Sequence, residues 1–203
     1  MKPINIDIST WQPDCSQEQQ QRFVSDLEQG GVLLMPQLAF EVLPTEQRFL
    51  SSQAANGQAK NISLHPVTHA LRGTSYIGDD YDALKAMLSR FSQNAHQLII
   101  SLFPSYAAQL QIGRTSYRPV EIMGRVSSYR KDDTRLHVDA FPATPNQGRR
   151  ILRVFSNINP HQQARVWRLG EPFETVAQKF LPTLRAPFPG SASLLKALNI
   201  TKS

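Results

Sequence analysis

Tyr129-Arg130-Lys131-Asp132-Asp133-Thr134-Arg135-Leu136-His137-Val138-Asp139-Ala140-Phe141-Pro142 is the stretch on which the reading of the chain turns. His137 and Asp139 are two positions apart, so on an extended strand their side chains share one face. An imidazole nitrogen and a carboxylate oxygen so placed can occupy neighbouring positions around a divalent metal. Two imidazoles and one carboxylate on one face of octahedral iron leave three positions for a bidentate 2-oxo acid and dioxygen. The pair alone is half of such a set, and a histidine beside a strand is more often packed or solvated than metal-bound. On spacing, both readings stay open.

Around this stretch, short apolar runs at Val120, Ile122, Val126, Tyr129, Leu136 and Val138 lie near Gly and Asp, the pattern of strands and hairpins. Downstream, Ile151-Leu152-Arg153-Val154-Phe155-Ser156-Asn157-Ile158 is the clearest predicted strand, and Val166-Trp167-Arg168-Leu169 is another, closed by Gly170. Glu174 to Phe180 predicts one short helix. Pro182, Pro187, Pro189 and Gly190 break the chain before a final helical stretch, Ala192 to Leu198.

Upstream the period is helical. Ser16-Gln17-Glu18-Gln19 is a capping-box pattern, Phe23, Val24 and Leu27 form an apolar face, and Gly30-Gly31 stops the helix. Val32 to Met35 predicts a short buried strand cut off by Pro36, and Pro44 to Ala55 a second helix. Asn56 to Gly78 reads as loop with one short strand at most. Leu84, Met87, Leu88, Phe91, Ala95, Leu98, Ile99 and Leu102 recur at steps of three and four, predicting a long amphipathic helix with Asp79 and Asp80 at its start and Pro104 at its end. Helices first and antiparallel strands afterwards imply an α+β fold in one domain over 1–203, mainly helical over 1–112 and strand-rich over 113–203.

Composition sets bounds. The 203 residues include 40% apolar ones, enough to bury one core, and no apolar run approaches the roughly 20 residues that span a bilayer. The N-terminus lacks the apolar core of a secretory signal. Cys15 is the one cysteine, so an intrachain disulfide is excluded and a reducing cytosol is the natural setting. A formal net charge of +6 suits an anionic partner, with no finger-like Cys/His spacing and no RNA-binding pattern of basic and aromatic residues to indicate nucleic acid.

Tyr129, the polar turn and His137-x-Asp139 resemble the entry to the double-stranded β-helix of the Fe(II)/2-oxoglutarate-dependent dioxygenases. Arg149-Arg150-Ile151 to Asn159-Pro160 resembles the strand that follows there. His137-Val138-Asp139-Ala140-Phe141-Pro142-Ala143-Thr144-Pro145, running on to Arg165-Val166-Trp167-Arg168-Leu169-Gly170-Glu171-Pro172-Phe173, is similar to the Kdo hydroxylase family in particular, and Gly30 to Pro36 also fits. The resemblance implies helices packed on a jelly-roll core, with 113–203 supplying its first strands. It implies hydroxylation at C3 of Kdo in Kdo-lipid A, forming Ko, in lipopolysaccharide inner-core biosynthesis. His137 and Asp139 are then the iron ligands at the catalytic centre, with 2-oxoglutarate as co-substrate and ascorbate as an optional further cofactor. Arg149, Arg150 and Arg153 are candidates to hold the 2-oxoglutarate carboxylate, against the plainer reading of a solvated strand face. The partner is a membrane-anchored glycolipid, so the expected place is the cytoplasmic side of the inner membrane, peripherally bound.

A second imidazole ligand is expected well downstream, followed by a basic residue. His161 is the one later histidine, in a predicted turn soon after Asp139, and reads as a solvated turn residue. His65 and His69 read as loop residues and His96 as structural. The sequence ends on a helix-like segment with no closing strand, so a jelly roll incomplete at its C-terminus is expected, with doubtful activity for a chain truncated there. Two other readings are a dioxygenase of the same fold acting on another small molecule and a non-catalytic jelly-roll module binding an anionic ligand.

Overall fold

In a computed structural model of the chain, the structure describes residues 3–57, 61–119, 137, 146, 148–184 and 188–198. The described residues fall into two compact units. One holds the described residues up to 119 together with 155–167; the other holds 137, 146, 148–154 and 168–198.

The first unit begins with β1 (Pro3–Asn5), followed by α1 (Gln17–Glu28). The capping box forms as the sequence predicts. The Ser16 hydroxyl accepts the Gln19 N–H at 3.2 Å, and the Ser16 N–H donates to Gln19 Oε1 at 2.8 Å. These bonds satisfy donors that a helix start otherwise leaves bare. At the far end Gly30 takes φ +79°, and the Gly31 N–H donates to Asp26 O at 2.8 Å. A Cβ on Gly31 would stand 2.6 Å from that carbonyl, so the helix stop requires glycine there. The chain emerges into β2 (Val32–Leu34), which pairs in parallel with β1. The predicted strand is present but not buried: Val32 is 39% and Leu34 47% exposed, and among the described residues the sheet has two strands.

Pro44 to Ala55, predicted as one helix, forms two 3₁₀ turns instead, Pro44–Leu50 and Ser52–Ala54. Ser51 between them is extended at ψ 156°, which breaks the helical run. The stretch 56–78 corrects the sequence reading further. It supplies β3 (Ile62–Leu64) and β4 (Leu71–Arg72), which join β5 (Thr115–Tyr117) in a three-stranded antiparallel sheet of order β4-β3-β5. A region read as loop with one short strand therefore supplies two.

Against this sheet lies α2 (Gly78–Leu102), with Asp79 and Asp80 in its first turn and Phe103 and Pro104 after its last. Leu84, Met87 and Leu88 share a core with Phe40, Phe49, Ala54, Ile62, Leu64, Leu71 and Tyr117. Farther along the helix Leu98, Ile99 and Leu102 are also buried, at the spacing read from the sequence. Trp11, Phe40 and Phe91 meet edge to face at 5.3 to 6.4 Å. The buried Tyr117 hydroxyl donates to Phe49 O at 2.7 Å, and burial, then the nearby Tyr76, holds its pKa well above the usual phenol range. Glu46 is the one buried acid among the described residues. Its carboxylate pairs with Arg90 and accepts the Leu43 N–H at 2.9 Å, while Arg90 also donates to Glu41 O at 2.8 Å and lies over the Phe40 ring. Each charge of this pair is thus matched where water is scarce.

Residues 155–167 belong to the same unit, with Ile158 packed on the core. In the second unit α3 (Phe173–Phe180) and α4 (Ser191–Ala197) match the two predicted C-terminal helices within a residue or two. The strands predicted at Ile151–Ile158 and Val166–Leu169 are not formed; neither run has regular secondary structure. An apolar run becomes a strand only with a ladder partner, and among the described residues neither run has one. Part of the first run is instead committed to a turn, where Asn157 Nδ2 donates to Gln163 O at 2.8 Å and the Gln162 N–H donates to Asn159 O at 3.1 Å. The runs predicted from Val120 to Val138 lie outside the described residues. No described helix is long and apolar enough to cross a membrane.

Candidate functional site

The histidine of the His-x-Asp pair is exposed and lies in irregular backbone; Asp139 is outside the described residues. Arg149, Arg150 and Arg153 follow the turn at Gly148, whose φ is +78°, and the Arg149 N–H donates to Asn146 O at 3.0 Å. All three arginines are exposed, and each of them, like His137, engages another group of the protein. Their chemistry is that of carboxylate recognition, since a guanidinium offers a planar fork of donors.

The other histidines are accounted for by local structure. His161 is exposed in a turn, where its N–H donates to Asn159 Oδ1 at 2.8 Å. His65 uses Nδ1 to accept the N–H groups of Val67 and Thr68, both at 3.2 Å, so that nitrogen is committed to the turn before β4. His69 holds φ +53° in the same turn, and His96 is half-buried on α2. Among the described residues no three His, Cys, Asp or Glu side chains converge on one point. Of the two donors proposed for iron, His137 is the one among the described residues.

A feature that the sequence reading passes over is the aromatic pair Phe155 and Trp167, with ring centroids 4.7 Å apart at 62°, and Arg165 lying 5.4 Å from the Trp167 centroid. Its signal is compositional: Gly148 to Gly170 holds Arg149, Arg150, Arg153, Arg165 and Arg168 and no acid. Beside Asp14, the thiol of Cys15 has a pKa raised first by burial and then by that carboxylate.

Comparison with known proteins gives this arrangement a setting. The family described as 3-deoxy-D-manno-oct-2-ulosonic acid (Kdo) hydroxylase matches residues 10–203. A solved structure of the Kdo hydroxylase KdoO, a non-heme Fe(II) alphaketoglutarate dependent dioxygenase, in complex with alphaketoglutarate and Fe(III), is 44% identical with a TM-score of 0.92; the match covers 100% of this chain and 68% of that one. The complex of KdoO with cobalt(II) is 46% identical with a TM-score of 0.93, over 99% of this chain and 67% of that one. Its complex with succinate and Fe(III) is 45% identical at a TM-score of 0.91, with the same coverage. The chain thus spans about two thirds of the length of these solved structures. The comparison with curated proteins gave no match.

Proposed function

The chain belongs to the Kdo hydroxylase family, and from that premise we propose that it hydroxylates Kdo as an Fe(II)/2-oxoglutarate-dependent dioxygenase. The observation that carries this reading is the match over the whole chain to structures of KdoO at 44 to 46% identity, two of them holding iron with 2-oxoglutarate or its product succinate and one holding cobalt(II). The substrate position is C3 of the Kdo sugar in Kdo-lipid A, and the product carries Ko.

The mixed helix-and-sheet fold fits a scheme in which the mainly helical residues 1–112 back a double-stranded β-helix whose first strands come from 113–203. His137 and Asp139 hold the iron, a pairing supported by an imidazole and a carboxylate two positions apart. Iron, when bound, supplies the oxidising chemistry with dioxygen and 2-oxoglutarate. The chain's own part is to bind and orient. Arg149, Arg150 and Arg153 are the groups proposed to receive the 2-oxoglutarate carboxylates, and they also suit a substrate bearing carboxylate and phosphate. Because Kdo-lipid A is a membrane glycolipid, the protein works peripherally at the cytoplasmic face of the inner membrane.

The test is to supply the protein with Fe(II), 2-oxoglutarate, dioxygen and Kdo-lipid A and to weigh the glycolipid. One added oxygen on the Kdo residue, absent when 2-oxoglutarate is withheld, supports the reading. Unchanged glycolipid in the presence of all components sinks it.

A further inference from the structure

We draw no further inference here: the strongest candidate, the surface cavity of about 380 Å³ between residues 5–13 and the first turns of α1, joins exposed Asp7 and Asp14 to Cys15 and a helix N-terminus, and nothing in the structure shows what fills it.

Discussion

The residues around α2 and those from Gly148 to Leu198 treat apolar side chains in opposite ways. In the first region Phe49, Leu84, Met87 and Ile62 are fully enclosed, and the charges that enter the core arrive paired, as Glu46 does with Arg90. In the second, phenylalanines, leucines and a tryptophan stand in solvent among an excess of arginine. The difference separates two uses of the hydrophobic effect. The first region uses burial for folding, while the described apolar side chains of the second are mostly exposed, which leaves little stability resting on any one of them.

The contrast makes a ranked set of expectations for thermal or urea unfolding. Phe49→Ala, which empties a fully buried site in the core against Tyr76, is expected to cost about 3–5 kcal/mol. Arg90→Ala comes next, at about 2–4 kcal/mol, because it strands the Glu46 carboxylate in the core. Arg90→Lys recovers part of that loss, since lysine restores the charge without the fork that reaches both Glu46 and Glu41 O. Ser16→Ala removes one half of a capping box and is expected to cost about 1 kcal/mol. Phe180→Ser on α3 is expected to fall within about 0.5 kcal/mol of the parent. A loss at Phe180 as large as that at Phe49 would erase the distinction between the regions.

What the sequence makes legible follows the length of its patterns. α2 offers five turns of regular apolar spacing, and α1 announces both of its ends through Ser16, Gln19 and Gly30-Gly31, so both can be read without coordinates. Strands of two or three residues, such as β3 and β4, are too short to show alternation, and the Gly and Pro around them signal loop. Ile151–Ile158 has the composition of a strand, yet among the described residues no neighbour pairs with it. The candidate site is legible in part for a related reason. Spacing singles out His137 and Asp139, and the likeness to the dioxygenases gives the pair a role, whereas the Phe155–Trp167 contact joins residues whose proximity no local pattern reveals.

On the proposed reading the chain is a Kdo-hydroxylating dioxygenase whose metal is held by His137. The most direct test of that reading is succinate release from 2-oxoglutarate, with and without Kdo-lipid A, for the parent and for His137→Ala under saturating Fe(II). The predicted result is release that rises when the glycolipid is added, one succinate for each Ko formed, and falls to the no-enzyme background in the variant. Release that ignores the glycolipid, or that survives intact in His137→Ala, would contradict it.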